Sequence, residues 1–465
     1  MRMLTTLAVL LASTTLASAA SNESFIVQAG SNNHAIAGQT GGNNNQGTVQ
    51  LGRGNSAVTA QSGASTKNNE SGVLQVGVQN GAVALQTGGN NTQTTVQGGV
   101  RNFAVTSQKG KEKTGIKPND STTAQFGAFN GSIVNQKDGN NKQTTLQVGG
   151  SNFAATSQDN ASKGKNNTSS TTQLGAFNSA LVGQTGGNNN QNTLSVGVGN
   201  FAATSQTGGA KRSNESSTLQ FGGFNRSIVG QVGGGNDQGT LQFGNGNLSL
   251  IGQTDTSWGA TNSALTTQFG IGNKAVTLQS AKDSWFSSSV SNNASTFQVG
   301  KKNSAITLQD GVTSIFFPGS NDSVVAQFGD KNSALVSQQN GRNGQATIQF
   351  GDRNSAVTLQ KTASLAGVNA AATVQAGSKN RALTSQLAAN PLAGVNGSLI
   401  AQFGNGNTAI ASQTGLQPMI GANTQATVQV GQGNFAVTAQ NSATVSNTSV
   451  TAQFGSHNVA FTSQH

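Results

Sequence analysis

The stretch from Asn214 to Gln231 reads NESSTLQFGGFNRSIVGQ, and its alternation decides the fold. With Asn214 counted as position one, Ser216, Thr218 and Gln220 share one parity, while Leu219 and Phe221 fall on the other. The second half resumes with Asn225, Ser227, Val229 and Gln231 on the first parity and Ile228 on the second. A period of two with β-branched enrichment is a strand signal. The Gly222-x-x segment between the halves reads as an arc, because glycine tolerates backbone angles that other residues avoid. The stretch is therefore expected to form strand–arc–strand, with strands of about five or six residues.

Working outward, the same skeleton, N-x5-Q-x-G-x-x-N-x-(A/S)-x3-Q, recurs 18 times. The first copy is Asn22, Gln28, Gly30, Asn33, Ala35 and Gln39, and the third holds Asn69, Gln75, Gly77, Asn80 and Gln86. The copy quoted above holds Asn214, Gln220, Gly222, Asn225, Ser227 and Gln231, and the last holds Asn447, Gln453, Gly455, Asn458, Ala460 and Gln464. The leading Gln moves from 28 to 453 in 17 steps, a mean period of 25 residues, within the range that signals a solenoid. Ser195 is the one break at these six sites. Position five is β-branched throughout, as in Ile26, Thr48, Val73 and Thr218.

One face of each copy is thus polar and nearly constant, and the other is apolar and variable. Burying the apolar face is the general rule. Here the constancy of the polar face argues for the reverse. Stacked copies would set each Gln above an identical Gln at about 4.8 Å, where the amides bond to one another in a ladder. A dry interior enforces such pairing, since an unpaired buried amide costs about 1–3 kcal/mol. Solvent exposure would have let those positions drift. The Phe, Leu, Ile and Val residues are then expected outside, as stripes open to neighbouring molecules.

The turns between copies alternate. Gln39 to Gln50 is a short connection and Gln61 to Gln75 a long one. The residue at position three alternates in step: Ser24, Gln46, Ser71, Gln93, Ser121, Gln143. A pair of copies is therefore a candidate folding unit. Long turns carry much of the charge, at Lys109, Lys111, Lys113 and Lys117, Lys163 and Lys165, and Lys211 and Arg212.

Composition agrees with this picture. Glycine is 62 of 465 residues, charged residues are 8%, proline occurs four times and cysteine not at all. A disulfide framework and a thiolate metal site are excluded. Residues 1–19 read as a signal peptide, with Arg2, the apolar Leu4–Leu16 stretch and Ala17-Ser18-Ala19 at the cleavage site. Residues 20–465 are then a single solenoid domain, secreted and without a segment long enough to span a membrane. No catalytic, cofactor or metal constellation stands out: His34, His457 and His465 are scattered, and the 14 acidic residues form no recurring pair. The net charge of +11 has two readings. Basic loops would hold acidic polysaccharide, lipopolysaccharide or extracellular DNA, or they keep a sticky chain soluble before assembly.

These 18 copies resemble the curlin repeat, whose pattern is S-x5-Q-x-G-x-G-N-x-A-x3-Q, and the resemblance covers essentially the whole mature chain. It implies a β-solenoid with the Gln/Asn face inside. It further implies a subunit that polymerises into extracellular amyloid (curli) fibres for the biofilm matrix and adhesion. Partners are then other copies of the chain, another curlin subunit or nucleator, and an export channel with its accessory proteins. Three features depart from the pattern. The opening Ser is Asn throughout, and the second Gly survives only at Gly54, Gly199, Gly246, Gly272, Gly406 and Gly433. The chain is also much longer than the five-repeat subunits typical of the family. The family carries a short export segment before its first repeat, whereas here the first repeat starts at Asn22, almost at the expected cleavage site. The last copy stops at Gln464 with only His465 after it, so open strand edges are expected, which favours end-to-end addition of subunits because soluble solenoids need caps. The alternatives are a monomeric surface adhesin binding polysaccharide or host protein, and a minor fibre nucleator.

Overall fold

The computed structural model describes residues 22–63, 68–110, 118–160, 165–208, 212–255, 259–282, 290–312, 319–363, 367–389, 394–415, 421–442 and 446–465. The proposed signal peptide at 1–19 and Lys111, Lys113, Lys117, Lys163 and Lys211 lie outside these residues. The chain is an all-β solenoid in which every copy supplies two strands. It divides into two compact units, one ending at Ala202 and one beginning at Ala203.

In the first unit the opening copy forms strands Glu23–Ser31 and His34–Thr40, and the next forms Asn43–Arg53 and Ser56–Ser62. Leading strands pair only with leading strands, and following strands only with following strands, always in parallel. Gln28 lies opposite Gln50 and Gly30 opposite Gly52, while Ala35 lies opposite Ala57 and Gln39 opposite Gln61. The second unit repeats the arrangement. Gln220 faces Gln242, Gln327 faces Gln349, and Gln360 faces Gln386. Register is therefore copy upon copy without slip, because a one-residue shift would turn every Gln to the opposite face.

The leading strands are longer than five or six residues, from 9 in Glu23–Ser31 to 12 in Gly394–Asn405. The reason lies in the arc. Gly30 does not bend the chain out of the sheet but stays inside strand Glu23–Ser31, and the break falls at Asn32-Asn33. The motif glycine nonetheless has to be glycine. Gly351 has φ 97°, and a Cβ there would sit 2.1 Å from the Gly377 carbonyl oxygen of the next copy. Close stacking of successive arcs thus excludes a side chain on steric grounds as well as conformational ones.

Position eleven, two residues on, is also left-handed in the copies that keep glycine (Gly272, φ 67°) and in those that do not (Arg101, φ 55°; Phe177, φ 56°; Lys302, φ 59°). Bulky residues rarely adopt this region. Phe177 and Phe224 do so while 65% exposed.

The inside is polar. Gln75, Gln125, Gln220 and Gln349 are fully buried, whereas Phe126, Phe350 and Phe403 are more than 40% exposed. The two sheets of a copy approach closely, with Thr218 Oγ1 3.4 Å from Ser227 Oγ across the interior. Where position five is Val or Ile, small apolar clusters form, such as Val325 with Ala305, Ala334 and Val336. Outside, Phe221, Phe243, Phe269, Phe297, Phe328 and Phe350 make a continuous row of ring contacts, with centroids 4.7 Å apart at its first step and at most 5.9 Å apart, stacked except where Phe297 sits tilted at 58° and 51° to its neighbours.

Two substitutions test this packing. Gly351→Ala is expected to lower stability by about 3 kcal/mol or more, since neither φ nor the neighbouring carbonyl can yield cheaply. Thr358 Oγ1 is buried without a partner and stacks on Val336. Thr358→Val should therefore be neutral or stabilising by up to about 1 kcal/mol. Denaturant midpoints of the two variants against the parent give both answers.

Candidate functional site: four amide ladders

The buried parity of each copy presents two Gln and two Asn, and stacking turns them into four columns. In the leading Gln column, Gln28 Nε2 donates to Gln50 Oε1 at 2.6 Å, Gln50 to Gln75 at 2.7 Å and Gln75 to Gln97 at 2.8 Å. In the second unit Gln220 donates to Gln242 at 2.9 Å, and Gln429 to Gln453 at 2.8 Å. The closing column behaves alike: Gln39 to Gln61 at 2.9 Å, Gln61 to Gln86 at 2.7 Å, Gln231 to Gln253 at 2.8 Å and Gln440 to Gln464 at 2.7 Å.

The Asn columns run the other way. Asn44 Nδ2 donates back to Asn22 Oδ1 at 2.8 Å, Asn69 to Asn44 at 2.9 Å, and Asn447 to Asn423 at 3.2 Å. At the arc, Asn80 donates back to Asn55 at 3.1 Å, Asn247 to Asn225 at 3.0 Å and Asn458 to Asn434 at 3.0 Å.

Backbone partners fix which end of each amide is which. The main-chain N–H of Asn80 donates to Asn55 Oδ1 at 3.1 Å, so that atom is the oxygen. Gln75 Nε2 also donates to the Ser56 carbonyl at 3.0 Å, so that atom is the nitrogen. Arc Asn residues also close the bend: Asn55 Nδ2 reaches the Gly77 carbonyl at 3.1 Å. The Gln and Asn columns therefore carry opposed amide dipoles. Their bonds polarise one another along each column without a net dipole building up along the stack.

The alternation at position three also finds its meaning. Ser24 Oγ donates to Gln46 Oε1, Ser71 to Gln93 at 2.7 Å, Ser121 to Gln143 at 2.8 Å and Ser216 to Gln238 at 2.7 Å. Gln46, Gln93, Gln143 and Gln238 in turn donate to Thr48, Thr95, Thr145 and Thr240 of their own copies. Two adjacent copies share one three-residue relay. The sequence signalled the alternation, but the obligatory Thr two residues after each of these Gln is the part that sequence reading overlooked.

Of the residues singled out from the sequence, Asn69, Gln75, Asn80, Gln86, Asn214, Gln220, Asn225 and Gln231 are buried. Asn22 and Gln28 are exposed and Asn33 and Gln39 half-buried, because among the described residues no copy precedes theirs. In the last copy Asn447 and Gln453 are buried and Asn458 and Gln464 half-buried. Gly77 and Gly222 sit in close arc contact with Gly99 and Gly244. Ser195 pairs in register with Gln173 and is buried. His34 and His457 are exposed. Of the basic turn residues described, Arg212 is engaged internally, donating to the Ala260 carbonyl at 2.9 Å. Comparison with protein-family models gives no match, and comparison with curated proteins gives no relative.

Gln349→Glu tests the ladder. It is isosteric, but at neutral pH it sets a carboxylate between Gln327 Nε2 and Gln375 Oε1, removing the donor to Gln375 and to the Ser333 carbonyl. The expected loss is about 2–4 kcal/mol at pH 7. Burial raises the folded-state pKa of such a group. The loss is therefore smallest below the unfolded pKa of about 4.3, where the protonated acid still offers one O–H in place of two N–H donors, and it grows to its full size as pH rises from there to the folded value. Unfolding curves at acidic and neutral pH check the sign.

Proposed function

We propose that the chain is a non-enzymatic subunit of an extracellular amyloid fibre of the curlin type, exported and then elongated by adding one molecule's first copy to another's last. The observation that carries this is the polarity of the ladders. In the first unit the opening copy turns Gln28 Oε1 and Gln39 Oε1 outward as acceptors. In the second unit the last copy turns outward the unused N–H of Gln453, which otherwise donates to the Phe435 carbonyl, and that of Gln464, which donates to the Thr448 carbonyl. Asn447 Oδ1 and Asn458 Oδ1 face the same way as acceptors, matching the side-chain N–H donors of Asn22 and Asn33. Donor meets acceptor in all four columns when one molecule follows another, and the pairing that folds the chain then also extends it. Among the described residues, strand Glu23–Ser31 pairs only with Asn43–Arg53 and strand Asn447–Ser456 only with Gly421–Gln432, so each keeps one edge to which a further strand can add.

Incubation of the purified mature chain is expected to yield thioflavin-positive fibres with a meridional spacing of about 4.8 Å. Persistent monomer would contradict the proposal and favour a soluble surface adhesin. The paired variant Gln453→Glu with Gln464→Glu replaces outward donors by carboxylates. It should slow elongation about tenfold or more at neutral pH, with any loosening confined to the last copy, which hydrogen exchange on the monomer reads separately.

A further inference from the structure

The arcs of the second unit hold a feature that the ladders do not use. At position eleven, four successive copies carry Lys302, Lys331, Arg353 and Lys379, whereas Gly246 and Gly272 precede them and Gly406 and Gly433 follow. All eight residues are left-handed, the cations at φ 59°, 61°, 57° and 59°. Glycine occupies that region freely and a Cβ disfavours it. Charge placed only for solubility would fit as well at exposed positions free of this strain. Four consecutive cations on a strained site point to a use.

The row is regular. Lys331 N donates to the Lys301 carbonyl at 2.8 Å, Arg353 N to Asp330 at 3.0 Å and Lys379 N to Asp352 at 3.0 Å, which sets the cations one copy apart, about 4.8 Å. All four are exposed, as are the flanking Lys274, Lys301 and Arg381. The two carboxylates nearby are turned to the main chain: Asp330 Oδ1 accepts from Lys301 N at 2.9 Å and Asp352 Oδ1 from Asp330 N at 3.1 Å. Among the described residues no ion pair joins the four cations. Beside them, Ser304, Ser333 and Ser355 stack in register as a second row, their hydroxyls without partners among the described residues.

We propose that these two rows bind a linear acidic glycan of the polyuronate class. An extended polyuronate offers one carboxylate and several hydroxyls per sugar ring, and its rings advance by about one copy step. Cation and hydroxyl then recur at each copy as carboxylate and hydroxyl recur at each ring. A nucleic acid fits less well, because positions nine to thirteen of these four copies hold no aromatic ring on which a base could stack.

The site does not require polymerisation, so its test reads separately from fibre growth. Polygalacturonate and single-stranded DNA are offered to the full chain at about 20 and about 200 mM NaCl. They are also offered to a variant carrying Lys302→Gly, Lys331→Gly, Arg353→Gly and Lys379→Gly, in which the left-handed backbone is kept. A second variant places Gln at the same four positions, a residue the arc already holds at Gln79 with φ 58°. The full chain should bind polygalacturonate in a salt-sensitive way, and both variants should bind about tenfold or more weakly with unfolding temperatures not lowered. Equal binding by parent and variants, no binding of polygalacturonate by the parent, or tighter binding of DNA than of polygalacturonate would overturn the assignment.

Discussion

A buried primary amide has two N–H donors and a carbonyl with two lone pairs, and leaving any of them idle in a dry interior is expensive. The solenoid resolves this by giving each amide an identical neighbour above and below. Gln349 receives from Gln327 and donates to Gln375, and its second N–H goes to the Ser333 carbonyl. A residue of another type interrupts this exchange between identical amides, so the columns tolerate almost no substitution, and the one exception, Ser195, brings a hydroxyl that also donates and accepts. Hydrophobic burial, which usually chooses the inside, is left to small clusters such as Ile400 with Ala382, Ala409 and Ala411.

Other features follow from keeping the copies in contact. The motif glycine has no side chain because its neighbour's carbonyl lies where a Cβ would be. The arc Asn spans from its own copy to the next glycine carbonyl. The Ser–Gln–Thr relay ties copies two at a time, which gives the alternation of short and long turns a structural counterpart. Residues on the outer face answer only to one another, as in the Phe221 to Phe350 row, and so vary in identity from copy to copy.

Most of this was legible in one dimension because, within each unit, every copy meets little but the copies next to it. Stacking copies the same environment 18 times, so burial writes itself into the sequence as repetition, and the polar-inside arrangement follows from which parity repeats. Three things were not legible. The opposed direction of the Gln and Asn columns depends on where Asn55 Oδ1 and Gln75 Nε2 find main-chain partners, and residue identity carries no trace of it. The place of the bend was misread because Gly30 looks like a turn residue, yet its positive φ serves close approach within a strand. The cation row was hidden because Lys302, Lys331, Arg353 and Lys379 read as mere losses of a motif glycine until their common left-handed geometry placed them in line.

The most direct measure of the central claim is hydrogen exchange at the side-chain amides themselves, followed by 15N-resolved NMR on the folded chain in heavy water. Buried, laddered Gln and Asn side chains, Gln349 and Asn354 among them, should retain their N–H protons as long as the backbone amides of the same strands. Exchange of those side-chain protons at the rate of free amides, with the backbone still protected, would show the columns to be solvated and would contradict the account.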